Sequence, residues 1–262
     1  MKMMKRGDVG LAFEDTGGKA PPIILLHGLG CNHTFLSRQA EFFARSRRVV
    51  SVDLRGHGVS DAPPGEYTMT VFSEDLVWLC EELDLIKPTV VGHSMGGNIA
   101  LILAAFYPNL LSSVVLVDSV VFPSASLLAA LRPLDEAMRE ANYLLALKQT
   151  LRALCLPTDT HTEELLEAVK GPQHVLASAL LNQVAQYDSA FAASGCRIPA
   201  AYIAGATSLC DLESFQRATP QLITGKTLGA GHFSPIEVPD QINAMIERFL
   251  AMTDVDRLAA EH

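Results

Sequence analysis

At 262 residues, the chain is long enough for a single α/β domain that carries an insertion, and its apolar residues, 49% of the total, can build a sizeable core. A formal net charge of −9, with no basic stripe to offset it, argues against nucleic-acid binding. The longest apolar run, residues 99–107, is too short to span a bilayer, which argues against a membrane protein.

The cysteines and the first residues of the chain favour a cytoplasmic protein. The five cysteines are scattered and show no Cys-x-x-Cys spacing. This pattern favours reduced thiols over a disulfide framework or a zinc site. The opening "MKMMKRGDVG" has no apolar stretch of the kind found in a signal peptide. We therefore expect a soluble, cytoplasmic, globular protein.

Predicted strands alternate with predicted helices along most of the chain. The strand candidates are continuous apolar runs, which are typical of parallel strands buried on both faces. In chain order the elements are a strand at 23–28, a strand and a glycine-rich loop within 47–61, a helix at 70–83, a strand at 89–92, a helix at 95–107, a strand within 112–119, a strand within 198–206 and a helix at 240–250. This order predicts a doubly wound, mostly parallel α/β sheet that binds ligands beyond the carboxyl ends of its strands.

One stretch interrupts this alternation. From residue 122 to about residue 193 the sequence contains only helical segments, such as "LLAALRPLDEAMREANYLLALKQTLRALC". A helical insertion between two strands of the sheet would lie over the carboxyl edge. We therefore predict an α/β core formed by residues 1–121 and 194–262, and a helical cap formed by residues 122–193.

A serine stands at the corner between a predicted strand and a predicted helix, in the sequence "GHSMGG". The flanking glycines relieve crowding at such a sharp turn, and the turn lifts the hydroxyl clear of the sheet. The corner also places Ser94 at the N-terminus of a helix, where free N–H groups favour developing negative charge. We predict that Ser94 is a nucleophile.

These motifs resemble those of the α/β-hydrolase superfamily, from about residue 9 to residue 250. "LLHGLG" is similar to the family's oxyanion loop, "DLRGHGVSD" to its next strand-end loop and "GHSMGG" to its nucleophile elbow. "GAGHFSPIEVPDQINAMIERFL" resembles the closing histidine loop and the last helix. The resemblance implies the fold strongly and the substrate weakly, because this fold carries many chemistries.

His232 is the predicted base, because it follows a strand-like segment and precedes the last helix, on a loop that can deliver it to the serine. The other histidines have simpler explanations. His27 and His57 are expected to fix loops, and His93 to pack at the elbow. The remaining expectations are solvent exposure for His161 and His174, a frayed end for His262, and for His33 either a structural role or an approach to substrate.

Two backbone N–H groups are predicted to stabilise the oxyanion. The residue after the nucleophile supplies the N–H of Met95, and the "HGLG" loop supplies that of Leu29. Their side chains remain available to shape the acyl pocket.

The acid departs from the pattern of most relatives, which carry it after the penultimate strand. Here that strand continues as "YIAGATSLCD", and Ser208 occupies the expected position. Asp211 is the alternative acid, although a role as the N-cap of the helix beginning "LESFQRA" explains it. Asp118, at the end of "SSVVLVDS", returns to the same edge beside the elbow, and a minority of the superfamily keeps its acid there. We predict the triad Ser94, Asp118 and His232.

The predicted activity is that of a carboxylesterase-like serine hydrolase, which cleaves small or medium apolar esters through an acyl-enzyme. We expect a small-molecule ester substrate and no metal or organic cofactor, and the sequence leaves the oligomeric state open. An apolar pocket is indicated by six leucines of the predicted cap, namely Leu127, Leu128, Leu131, Leu144, Leu145 and Leu151.

Four other activities are left open by the sequence. Two are lactone hydrolysis and hydrolysis of a carbon–carbon bond in ring-cleavage products, although the C–C subfamily typically has tryptophan where Phe233 follows His232. A third is cofactor-free dioxygenation, in relatives that resemble the chain around "HFSPIEVPD". The last is a ligand-sensing regulator with slow turnover.

Overall fold

A computed structural model describes the backbone of residues 1–260 and the side chains of residues 1–253. Eight strands form one sheet in the order β1-β2-β4-β3-β5-β6-β7-β8, in which β3 to β8 are parallel and β1 and β2 are antiparallel to their neighbours. The strands are β1 (Lys2–Arg6), β2 (Val9–Asp15), β3 (Pro22–Leu26), β4 (Arg48–Asp53), β5 (Thr89–His93), β6 (Ser113–Val117), β7 (Ala200–Ala204) and β8 (Leu222–Lys226). The predicted doubly wound, mostly parallel sheet is confirmed.

The inner parallel strands bury side chains on both faces of the sheet. On β3, Ile23 and Leu25 face a cluster that includes residues of the C-terminal helix, whereas Ile24 and Leu26 face the larger cluster on the opposite side. Because both faces are covered, the strands read in the sequence as continuous apolar runs rather than as alternating ones.

The N-terminal hairpin of β1 and β2 was not predicted. β1 has the sequence "KMMKR" and is largely exposed, and it is held mainly by its backbone pairing with β2 at the edge of the sheet. A strand that buries so little apolar surface has no apolar run by which the sequence could indicate it.

Helices cover both faces of the sheet. Before the insertion they are α1 (Ser37–Phe43), α2 (Met69–Glu82) and α3 (Met95–Phe106), and after it α9 (Leu212–Ala218), α10 (Ser234–Glu237) and α11 (Pro239–Ala260). The predicted helices match α2 and α3 to within one residue, whereas α11 extends ten residues beyond the predicted end. Within the described residues, none of the helices combines the length and the apolar character that crossing a membrane requires.

Between β6 and β7 the chain is helical. The helices of this insertion are α4 (Ala125–Ala137), α5 (Tyr143–Leu154), α6 (Thr162–Ala168), α7 (Gln173–Leu181), a π-helical turn (Asn182–Gln186) and α8 (Ser189–Gly195). Its side chains bind the core at the start of α2, because the Ser178 hydroxyl accepts from the N–H of Tyr67 and the Asn182 amide oxygen accepts from the N–H of Met69. The last helix ends two residues beyond the predicted boundary at residue 193.

Candidate active site

Ser94 occupies a strained corner between β5 and α3. Its backbone has φ 53° and ψ −119°, a left-handed conformation that costs a residue with a side chain about 1–3 kcal/mol. The neighbouring glycines are required by close contacts: a Cβ at Gly92 would lie 2.2 Å from the carbonyl carbon of Gly96, and one at Gly96 would lie 2.3 Å from the carbonyl oxygen of Leu26. The corner therefore presents a half-buried serine hydroxyl at the carboxyl edge of the sheet.

The loop after β3 lies directly against this corner. A Cβ added to Gly28 would be 3.1 Å from the Cβ of Ser94, so the next residue, Leu29, lies beside the serine. Within the described part of the chain, the backbone N–H groups of Leu29 and Met95 donate to no other residue. Two N–H donors thus remain available near Ser94, one of them at the N-terminus of the 12-residue helix α3.

Asp118 and His232 form a buried hydrogen-bonded pair at the same edge. The Nδ1 atom of His232 lies 2.9 Å from the Oδ2 atom of Asp118, and the two side chains are 3% and 2% exposed. The other carboxylate oxygen of Asp118 accepts from the N–H of Gly205 at 3.1 Å. Because an ionised carboxylate can only accept, Nδ1 of His232 carries the proton, and Nε2 remains available for proton transfer.

The sheet register explains why Asp118 reaches this place. His93 and Val117 are partners in the parallel pairing of β5 with β6, so Ser94 and Asp118 leave adjacent strands at the same level. The N–H of Ser94 also donates to the carbonyl of Val117 at 2.9 Å. Asp118 itself has φ 44°, and this turn directs the chain away from the sheet.

Asp211, the alternative acid, is placed elsewhere by the structure. It is exposed at the N-terminus of α9, where its carboxylate accepts from the N–H of Ser214 at 3.1 Å and from the Ser214 hydroxyl at 2.6 Å. Ser208 is occupied with Cys210, whose N–H donates to its hydroxyl. Of these three side chains, only Asp118 is hydrogen-bonded to the imidazole of His232.

Three contacts hold the loop that carries His232. The carboxylate of Glu237 accepts from the N–H groups of Gly231 at 2.5 Å and of Phe233 at 3.1 Å, on either side of the histidine. Burial raises the pKa of this carboxyl above its ordinary value. The N–H of His232 donates to the carbonyl of Leu154 in the insertion at 3.0 Å.

His93 packs beneath His232, as the sequence indicated. Its Nε2–H donates to the carbonyl of His232 at 2.8 Å, and the two rings lie 4.7 Å apart. Burial, together with the neighbouring imidazole of His232, lowers the pKa of His93 to about 3, so its ring is neutral near pH 7. Because the His93 ring is neutral, it places no positive charge beside His232.

The remaining described histidines are bound to other groups or are exposed to solvent. His27 and His57 are buried and bound to backbone groups of their loops, and burial lowers their pKa values to about 3 and about 4. The ring of His33 is bound to Asp53 at 2.8 Å, which favours the structural explanation for this residue. His161 and His174 are exposed, and His262 lies outside the described residues.

Ser94 and His232 share a small, mostly apolar cavity of about 60 Å³. Eleven of its fifteen lining residues are leucine or valine, and most of the lining belongs to the insertion. The lining residues are Leu29, Ser94, Val120, Leu127, Leu131, Leu134, Leu147, Thr150, Leu151, Leu154, Leu180, Gln183, Val184, Leu209 and His232. Of the six leucines singled out in the sequence, Leu127, Leu131 and Leu151 line the cavity, whereas Leu145 is exposed.

Two residues near the site carried no signal in the sequence. Glu237 acts through backbone N–H groups that a sequence does not reveal, and Gln183 is an ordinary polar residue within a helical segment. For metals, the described residues contain no group of three or more His, Cys, Asp or Glu side chains arranged to hold an ion.

Comparison with known proteins shows a shared fold. A family model described as "alpha/beta hydrolase fold" matches residues 21–164. A solved thermophilic esterase from Thermogutta terrifontis, with malate bound, is 28% identical with a TM-score of 0.82 and covers 94% of each chain. An enol-lactonase from Burkholderia xenovorans LB400 has a TM-score of 0.85 and covers 95% of this chain and 100% of its own, but at 23% identity it supports the fold alone.

Curated relatives match a shorter segment. The sn-1-specific diacylglycerol lipase ABHD11 of Mus musculus is 39% identical over 106 residues, which is 40% of this chain and 34% of the lipase. An uncharacterized protein of Mycobacterium bovis is 35% identical over 102 residues, or 39% of this chain and 30% of that protein. The chain thus spans about a third of the length of the curated relatives that it matches.

Proposed function

Because the chain belongs to the alpha/beta hydrolase fold family, we propose that it is a serine hydrolase that cleaves carboxylic esters of small or medium apolar substrates. The observation that carries the proposal is the hydrogen bond between His232 and Asp118, with the free Nε2 side of the imidazole in the same cavity as the strained Ser94. This combination supplies a nucleophile, a base and a group that stabilises the protonated base.

In the proposed first step, the Ser94 oxygen attacks the ester carbonyl while Nε2 of His232 takes the hydroxyl proton. Asp118 stabilises the resulting imidazolium, and the N–H groups of Leu29 and Met95 bind the oxyanion. The tetrahedral intermediate then collapses, His232 returns the proton to the departing alcohol, and the acyl group remains on Ser94.

In the proposed second step, water replaces the alcohol. His232 takes a proton from the water, whose oxygen attacks the acyl carbon, and collapse of the second tetrahedral intermediate releases the carboxylic acid. The proton returns to the oxygen of Ser94, so the enzyme is regenerated. Every group in this cycle belongs to the chain, the ester or water, and the proposal therefore includes no cofactor.

The apolar lining of the cavity supports an apolar substrate. The leucine and valine side chains around Ser94 offer little to a charged or strongly hydrated group, whose desolvation would be costly. The ester bond is further supported by relatives described as a diacylglycerol lipase and an esterase. We also propose a cytoplasmic location, because the five cysteines are free.

Fluorophosphonate labelling tests the nucleophile directly. Purified protein is treated with the probe, and the modified residue is located by peptide mass spectrometry. We expect one label on Ser94, its loss in Ser94→Ala, and its retention in the control Ser46→Ala, which changes an exposed serine. Attachment at any residue other than Ser94 contradicts the proposed mechanism.

Steady-state kinetics with p-nitrophenyl esters tests turnover. We expect linear product release over many equivalents of enzyme, and its loss in Ser94→Ala. A single burst equal to the enzyme concentration, followed by negligible release, would instead support a ligand-sensing protein with slow turnover.

A further inference from the structure

Gln183 is a buried polar side chain in the wall of the cavity. It is 6% exposed and belongs to the π-helical turn of the insertion, a distortion that often occurs at functional sites. Besides Ser94 and His232, the only other polar side chain in the described lining is that of Thr150.

The orientation of the Gln183 amide follows from its neighbour. The Nδ2 atom of Asn98 donates to the carbonyl of Val120 at 2.7 Å, and a carbonyl can only accept. The oxygen of Asn98 must therefore face Gln183, whose Nε2 donates to it at 2.8 Å. This chain of contacts leaves the Oε1 atom of Gln183 as a hydrogen-bond acceptor.

That oxygen has no partner among the described residues. No described residue donates to Oε1 of Gln183, and the atom is not among the polar atoms sealed from solvent without a partner. When an apolar group displaces the water bound to a carbonyl oxygen in an apolar wall, the oxygen loses its hydrogen bond, and this loss makes binding less favourable. A ligand that supplies a donor avoids this loss.

We infer that Gln183 selects substrates whose apolar arm carries a neutral hydrogen-bond donor, a hydroxyl or an amide N–H. The inference rests on the proposed function and narrows its substrate class. A positively charged donor does not fit, because the described lining contains no Asp or Glu that would neutralise it. Hydroxyacyl or acylamino esters fit better than plain alkyl esters.

The first test compares matched substrates in two enzymes. The substrates are p-nitrophenyl hexanoate and its 2-, 3- and 6-hydroxy derivatives, and the enzymes are the wild type and Gln183→Met, which removes the acceptor at similar side-chain volume. For at least one hydroxyl position, we expect the ratio of kcat/KM for the hydroxyacyl ester to that for hexanoate to fall about tenfold in the variant. Comparing the two enzymes cancels the intrinsic reactivity of each ester.

Thr150→Val is the matched control, since Thr150 is the other polar residue of the lining and its hydroxyl donates to the carbonyl of Ala146. We expect it to leave the ratio within about twofold of the wild type. The inference would be overturned if the ratio in Gln183→Met equalled that of the wild type at every hydroxyl position. It would also be overturned if the ratio fell in Thr150→Val and not in Gln183→Met.

A binding measurement in Ser94→Ala needs neither turnover nor a folded Gln183 variant. Titration calorimetry compares methyl hexanoate with the methyl esters of the three hydroxyhexanoic acids. We expect one hydroxy ester to bind about tenfold more tightly, and equal affinities would overturn the inference. If Ser94→Ala binds a hydroxy ester more tightly but the wild type neither hydrolyses esters nor reacts with fluorophosphonate, the proposed function fails and the inference about the ligand stands.

Discussion

The carboxylate of Asp118 binds the imidazole of His232 at 2.9 Å although 114 residues separate them along the chain. The whole insertion and two strands lie between these two residues. Asp118 directly follows β6, which pairs with β5, the strand that ends just before Ser94. Because it is hydrogen-bonded to His232, Asp118 is the candidate for the acid of the triad.

Substitution of Asp118 is expected to lower catalysis far more than folding. Asp118→Asn keeps the shape of the side chain but removes the charge that stabilises the imidazolium, so we expect kcat to fall by about 10³-fold or more. Asp211→Asn is the control and should leave kcat within about twofold, since asparagine also caps helices. Ester kinetics with circular dichroism of each variant checks this, and the reverse ranking would assign the role to Asp211.

Residues of the insertion are expected to set the preference for acyl length. Leu151→Trp fills the cavity, so kcat/KM for p-nitrophenyl octanoate should fall at least tenfold relative to that for the acetate. Leu145→Trp, on the same helix but 56% exposed, is the matched control and should preserve the ratio. Fluorophosphonate labelling of Ser94 should persist in both. An unchanged length profile in Leu151→Trp would contradict the assignment of the insertion as a cap.

Glu237 is expected to act as a positioning residue for His232. Glu237→Ala removes the acceptor shared by the N–H groups of Gly231 and Phe233, so we expect kcat to fall about tenfold with KM nearly unchanged. Hydrogen exchange at these two amides should accelerate, whereas the control Glu247→Ala, which changes an exposed residue of α11, should alter neither quantity. Faster exchange without any loss of kcat would show that the loop is held but that its position is not limiting.

The buried histidines predict a loss of stability in mild acid. Burial lowers the pKa values of His27 and His93 to about 3 and that of His57 to about 4, whereas an unfolded histidine titrates near 6.5. Between these values the unfolded state binds more protons, so the free energy of unfolding decreases as the pH falls below about 6.5. Each histidine contributes up to about 1.4 kcal/mol per pH unit in this window, and none above it.

Urea denaturation of His57→Gln tests this linkage. The free energy of unfolding is measured at pH 7, 6 and 5 for the variant and the wild type. It should decrease less steeply with falling pH in the variant, by up to about 1.4 kcal/mol per pH unit near pH 5. Equal slopes in the two proteins would show that His57 does not remain neutral in the folded state.

The sequence was sufficient for those parts of the fold that depend on local pattern. The continuous apolar runs of β3 to β7 indicate strands that are buried on both faces. The glycines around Ser94 indicate a close approach between backbone segments, which only glycine permits. The position of Asp118 could also be predicted, because parallel strands bring their carboxyl ends to one edge.

Features that depend on contacts between distant segments could not be predicted in this way. β1 is held mainly by pairing with β2 rather than by burial, so its sequence resembles that of an exposed loop. The orientation of Gln183 is set by Asn98, 85 residues away, and by the carbonyl of Val120. No local pattern of residues encodes either relationship.

The hydrogen bond from His232 to Leu154 limits how the insertion can be exchanged between relatives. Glycine at position 231 leaves room for this contact, because a Cβ there would lie 2.8 Å from the carbonyl oxygen of Leu154 and 3.0 Å from the backbone nitrogen of Leu156. A transplanted insertion would have to present a carbonyl at the same point and keep its backbone as close to Gly231. Chimeras joined only at the ends of β6 and β7 would change the support of His232 together with the pocket. Chimeras that also keep the end of α5, with Leu154, and the turn after it would change the pocket and retain this support.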